Sequence, residues 1–172
     1  YASETELGYI DSLKFKTNND YLDWEISAIN QDICIVILNE SLKPGETVKI
    51  TTPFRVKIPS GTISRLGHLG QSYQITQWFP KPAVYDLDGW HPMPYLDQGE
   101  FYSEYGTFDV HLTLPKNYVV GATGDLVNGK KELDWLEEKV RQTQILANNG
   151  GLDNAYEIKG GMNFPVSSTE TK

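Results

Sequence analysis

VKITTPFRVKI, residues 48–58, alternates apolar and polar side chains with a period of two. Val48, Ile50, Phe54, Val56 and Ile58 face one way, and Lys49, Thr51, Arg55 and Lys57 the other. Successive side chains of an extended chain point to opposite faces, so this is the pattern of a half-buried strand. Pro53 cannot donate to a ladder and predicts an edge position or a bulge. Upstream, ICIVIL at 33–38 is apolar on both faces and predicts a covered strand. Lys43, Pro44, Gly45 and Glu46 lie between the two as a tight turn, so the pair reads as a hairpin. Downstream, Phe108, Val110, Leu112 and Leu114 alternate with Asp109, His111 and Thr113 until Pro115 stops the strand. Residues 118–122 resume it, and Thr123, Gly124 and Asp125 turn the chain into Leu126 and Val127. Weaker strands are expected at 8–15, 21–26 and 74–78. Only 131–147 changes period: Leu133, Leu136, Val140 and Gln144 mark a helical stripe that Trp135 and Leu146 widen. Asn148, Asn149, Gly150 and Gly151 end that helix.

Composition bounds the reading. A chain of 172 residues can bury one sizeable core, so a single domain over 1–172 is the expectation. Fifteen glycines, nine prolines and ten tyrosines favour a turn-rich β protein. A formal net charge of -8 supplies no basic field for nucleic acid or for an anionic membrane surface. No apolar run approaches the roughly 20 residues of a membrane span, and no signal-like segment opens the sequence. Cys34, the single cysteine, sits inside ICIVIL as a core residue, which precludes a disulfide within the chain. Residues 148–172 are polar and turn-like and are expected to be loosely held.

The richest stretch is QWFPKPAVYDLDGWHPMPYLDQGEFYSEYG, residues 77–106. A connection of this length is unusual in a compact domain and is often functional. Trp78, Phe79, Tyr85, Trp90, Tyr95, Phe101, Tyr102 and Tyr105 either pin the loop to a sheet or present a surface to something else. Ring by ring, anchoring is the expectation, with Trp78, Phe79 and Trp90 burying their rings to offset the entropy of ordering the loop. Asp86 and Asp88 are expected to bond nearby backbone amides as loop aspartates do. Asp97, Glu100 and Glu104 complete a set of carboxylates that a paired-acid mechanism would need within roughly 5 to 9.5 Å. His68, His91 and His111 lie in no metal-binding spacing; His91 is expected to hydrogen-bond within the loop and His111 to face solvent. There is no nucleophile elbow and no dinucleotide fingerprint. Asn39, Glu40 and Ser41 match a glycosylation triplet that matters only in a eukaryotic secretory host.

Residues 75–126, ITQWFPKPAVYDLDGWHPMPYLDQGEFYSEYGTFDVHLTLPKNYVVGATGDL, resemble the amino-terminal domain of bacterial M1 family zinc metallopeptidases, the aminopeptidase group. SLKPGETVKITTPFRVKIP at 41–59 and ELDWL at 132–136 share the likeness, which covers about 33–140. It implies a twisted, saddle-like β-sandwich with mixed sheets, a long aromatic loop and one short helix. It implies a non-catalytic domain that walls the active-site cleft of a larger enzyme and helps position the amino terminus of a peptide substrate. The zinc, held by H-E-x-x-H and a downstream glutamate, belongs to a separate catalytic domain that is the chain's implied partner. None of those motifs occurs here, and Gly161, Met162 and Asn163 match the family's substrate-holding strand only superficially. The resemblance begins after the domain's first strands and stops before its last, so open edges and homo-oligomers are expected. By motif position Gln71 corresponds to the residue that accepts a hydrogen bond from the substrate ammonium. A bacterial destination, exported or cytoplasmic, follows, with export to the periplasm or envelope preferred. The reading set against this one is a carbohydrate- or protein-binding β-sandwich module that uses the aromatic loop as its platform.

Overall fold

The computed structural model describes residues 2–150 except 19, 64, 97 and 100. The expectations for 151–172, the superficial match at Gly161, Met162 and Asn163 among them, lie outside the described residues. The chain divides into two compact units, Tyr1–Thr107 and Phe108–Lys172. The class is mainly β, as the alternation predicts: small antiparallel sheets and one helix, consistent with a twisted β-sandwich.

In the first unit, β1 (Tyr9–Asp11) pairs with β7 (Arg55–Lys57). β2 (Lys16–Thr17) lies between β3 (Asp20–Tyr21) and β6 (Ile50–Thr51). β4 (Asp23–Ile26) pairs with β5 (Cys34–Ile37), β8 (Gly67–Leu69) with β9 (Ser72–Gln74), and β10 (Val84–Asp86) with β11 (Gly89–His91). Every ladder among the described residues is antiparallel; an isolated Ser60–His68 bridge adds a parallel contact.

The expected hairpin between 33–38 and 48–58 does not form. Its turn does: Gly45 has φ +83° and the Glu46 amide donates to the Lys43 carbonyl at 3.0 Å. The strand before the turn instead pairs backward with β4, and the 48–58 strand splits at Pro53 into β6 and β7, each with a different partner. Proline removes one ladder donor and lets the two halves turn to separate sheets. Arg55 on β7 grips Asp11 on β1 with two hydrogen bonds, 2.6 and 3.1 Å. The guanidinium holds the Asp11 carboxyl below the ordinary carboxylate range. The strand expected at 74–78 is shifted to β9, where Gly70, φ +56°, occupies the first of two central turn positions. That placement is the glycine-first hairpin turn, and it moves the paired residues upstream.

Among the described residues the buried apolar side chains are Phe15, Leu22 and Val84. Phe15, 6 % exposed, packs edge-to-face on Trp24 with centroids 5.7 Å apart, and the Leu22 amide donates to the Phe15 carbonyl. Strand β5 alternates instead of being covered on both faces: Cys34 and Val36 are half-buried, while Ile35 and Ile37 are 49 and 55 % exposed.

In the second unit, residues 108–114 hold none of the named strands, and Phe108, Val110 and Leu112 are exposed. Alternation makes a segment able to present one apolar face; a ladder also needs a partner edge. Helix α1 (Lys130–Asn148) follows the period-3.6 stripe. Lys130 to Asp134 at 2.8 Å and Arg141 to Glu138 at 2.6 Å brace its exposed surface. Gly150 at φ +71° closes it, its amide donating to the Ala147 carbonyl. Leu133, Leu136 and Val140 on the stripe are exposed.

Removing the Phe15 ring is expected to cost about 3 to 5 kcal/mol in a Phe15→Ala variant, against less than about 0.5 kcal/mol for Ile29→Ala at an exposed turn. Urea denaturation midpoints of the two variants check the contrast.

Candidate functional site

The long loop is not irregular throughout. Its centre folds as the β10–β11 hairpin, with Leu87 and Asp88 at the tip and Gly89 at φ +100° closing the turn. The turn is fixed locally: the Asp88 amide donates to Asp86 Oδ1 at 2.9 Å, the bond expected of a loop aspartate. The same oxygen accepts from His91 Nε2 at 2.7 Å across the hairpin, and Asp86 Oδ2 accepts from the Tyr102 hydroxyl at 3.1 Å. Tyr102 also sets its ring edge-on to His91, 5.2 Å between centroids. One carboxylate thus joins the turn, the second strand and a segment 16 residues downstream.

Three donors stabilise the charged form of Asp86, His91 foremost, and its carboxyl is held below the ordinary aspartate range. The same contact pushes the Tyr102 phenol up, because a neighbouring carboxylate opposes its ionisation. The Asp86–His91 bond has the form of a base and its orienter, yet the ring's other described contact is an aromatic edge and not a nucleophile. The group fastens the loop. His91 fills the role expected of it, and His111 is exposed, 3.3 Å from Asp109.

Two more tethers hold the flanks. Lys81 donates to the Ser103 hydroxyl at 2.5 Å and lies over the Phe101 ring, 4.6 Å from its centroid. The Tyr95 amide donates to Asp32 on the β4–β5 connection. Tyr95 and Phe101 meet at 6.0 Å beside a cavity of about 340 Å³ that Arg65, Met93 and Leu96 also line.

The rings divide into two sets. Trp78 and Phe79 are half-buried, Trp78 lying 5.9 Å from Phe54 and 5.8 Å from Phe79. Phe101 is half-buried too. Trp90 differs from expectation: it is 65 % exposed, beside its cross-strand partner Tyr85, 66 % exposed, with centroids 5.0 Å apart. The reason is register. Val84 and His91 form one directly opposed pair and Tyr85 and Trp90 the next, so the pairs occupy opposite faces. Val84 is buried, so its face is inward, and the two large rings stand outward with Leu87 fully exposed at the tip. Tyr95, Tyr102 and Tyr105 are exposed as well.

Gln71 occupies the second central position of the β8–β9 turn. Its Oε1 is sealed from solvent and has no hydrogen-bond partner among the described residues. Among those residues no hydrogen bond or ring contact joins Gln71 to the aromatic loop, and no three His, Cys, Asp or Glu side chains converge as a metal site. Asp97 and Glu100, from the candidate carboxylate set, lie outside the described residues. What sequence reading missed is the set of tethers from Asp86, Lys81 and Asp32, whose partners lie 16, 22 and 63 residues away. Comparison with family models, curated proteins and solved structures returned no match. No helix among the described residues is long and apolar enough to cross a membrane.

Because folding lowers the Asp86 pKa, its carboxylate adds stability above the unfolded-state value. That contribution is lost as pH falls through the folded value. Urea midpoints measured from pH 7 to pH 2 are expected to fall less steeply for Asp86→Asn than for the parent chain, with the variant the weaker of the two at neutral pH.

Proposed function

We propose that this chain is a binding module that presents the outward face of the β10–β11 hairpin to another macromolecular surface. The observation that carries this reading is the exposed pair Tyr85 and Trp90 on a hairpin whose opposite face is tied down by Asp86. Ordering large rings in water costs a chain entropy without burying apolar area, whereas a pre-ordered aromatic pair loses little freedom when a partner covers it. The rings are inclined at 61°, so they make a ridge and not a flat platform. With Leu87 at its end, that ridge fits a pocket in a protein better than the face of a sugar ring.

The sequence resemblance supports a second, narrower reading: the surface met is the catalytic domain of an M1-type zinc aminopeptidase. The motifs of 75–126 carry it. In that arrangement zinc chemistry belongs to the partner domain, and the present chain walls the cleft. Gln71 would accept a hydrogen bond from the substrate ammonium. Its unpartnered oxygen suits that role chemically. Being sealed, the oxygen meets a substrate only if the Gly70–Gln71 turn opens.

Trp90→Ala is expected to weaken association with the catalytic polypeptide by about 30-fold or more, as loss of a central aromatic contact does, while far-ultraviolet circular dichroism stays unchanged. Titration calorimetry between the two separately produced polypeptides measures it. Wild-type affinity in the variant would remove the hairpin from the interface. Absence of H-E-x-x-H in the gene downstream would end the metallopeptidase reading and leave the binding module standing, to be tested on a glycan panel and on other proteins.

A further inference from the structure

Asparagine followed by glycine is a labile pair, because glycine has no Cβ to hinder attack by its own amide nitrogen on the preceding side chain. The sequence holds two such pairs, Asn128–Gly129 and Asn149–Gly150, and both lie among the described residues. Their neighbours in sequence rank them together; the fold separates them. At the end of α1 the Asn149 amide donates to the Ile145 carbonyl at 3.2 Å and the Gly150 amide to the Ala147 carbonyl at 3.1 Å. The nitrogen that would attack is already bonded there, and the helix end must open before it can move. Asn128 precedes the same helix at its other end, with an exposed side chain and a backbone φ of +57°. That left-handed conformation is costly for a residue with a Cβ, so the chain gives up less by rearranging. Among the described residues no hydrogen bond engages the Gly129 amide or the Asn128 side chain. The helix takes hold just beyond, at the Gly129 carbonyl, which accepts from the Glu132 and Leu133 amides at 3.0 Å each. Leu126 lies against Gly129 and is itself 65 % exposed, so the cover over this glycine is a solvent-facing side chain.

We propose that Asn128 is a self-modification site at which the chain deamidates spontaneously, while Asn149 is protected by the end of α1. The Gly129 nitrogen gives up its proton and bonds to Asn128 Cγ. The Cγ–Nδ2 bond breaks, and Nδ2 takes up a proton and leaves as ammonia. The product is a five-membered succinimide. Water then adds to one of its two ring carbonyls and breaks that carbon's bond to the Gly129 nitrogen. Opening at Cγ yields aspartate, and opening at the backbone carbonyl yields isoaspartate. One water enters and one ammonia leaves, with no oxidant and no cofactor. Either product adds one negative charge to the formal -8 of the chain. Isoaspartate also threads Cβ into the backbone immediately before Gly129, which lengthens the entry to α1 and leaves the bonds to the Gly129 carbonyl in place.

Ageing the intact chain in mildly alkaline buffer and digesting it with trypsin tests this, because cleavage places the two asparagines on separate peptides, 117–130 and 142–159. Mass spectrometry reads the amide-to-acid conversion on each, and fragmentation separates aspartate from isoaspartate. Conversion at Asn128 is expected to run at least tenfold faster than at Asn149, as protection by a hydrogen-bonded helix end requires. In concentrated urea the helix end is lost, and the two rates are expected to converge. Asn128→Gln, whose longer side chain closes a ring far more slowly, is expected to remove most of the acidic form seen by isoelectric focusing while far-ultraviolet circular dichroism stays unchanged. Equal rates in the folded chain, faster conversion at Asn149, a ratio that urea leaves unaltered, or an acidic form that persists in Asn128→Gln would overturn the proposal.

Discussion

The Asp86 carboxylate receives three hydrogen bonds from groups that would otherwise move independently: the amide of its own turn, an imidazole on the neighbouring strand and a phenol from beyond the hairpin. A two-stranded hairpin is marginal in water. Here it is held inward by buried Val84 and crosswise by Asp86, and the segment that follows is sewn back through Tyr102, Ser103 and Phe101. Bonds to an ionised acceptor are stronger than neutral ones, so a single charged residue accomplishes what several neutral loop contacts would share. With one face committed in this way, strand parity alone sends Tyr85 and Trp90 outward.

The same scarcity of inward contacts marks the rest of the molecule. Among the described residues Phe15, Leu22 and Val84 are the buried apolar side chains, while isoleucines and leucines of both units and tyrosines of the first remain exposed. Scattered exposed apolar residues are ordinary; a run of them along an open strand edge or a helix stripe indicates surface meant to be covered. Strand β5 and helix α1 each carry such a run, and the hairpin carries the most aromatic one.

Much of this was legible in residues. Period-two segments marked β structure, the 131–147 stripe marked the helix to within a residue at each end, and Pro44 and Gly45 marked their turn. The loop roles of Asp86 and His91 followed from the chemistry of short polar side chains near a turn. Pairing was not legible. ICIVIL is compatible with either neighbour, and the choice of β4 over the downstream strand rests on Pro53 breaking 48–58 into pieces that serve two other sheets. The display of Trp90 was hidden for a related reason: which face of a hairpin is inward depends on the burial of Val84, and local composition weighs Val84 and Trp90 alike as apolar.

Amide hydrogen exchange, compared residue by residue between the parent chain and Asp86→Ala, tests most directly whether one carboxylate fastens the aromatic hairpin. The account predicts that protection falls across 84–91 and 101–103 while the β4–β5 ladder keeps its own. Unchanged protection in the hairpin, or an equal loss throughout both regions, would contradict it.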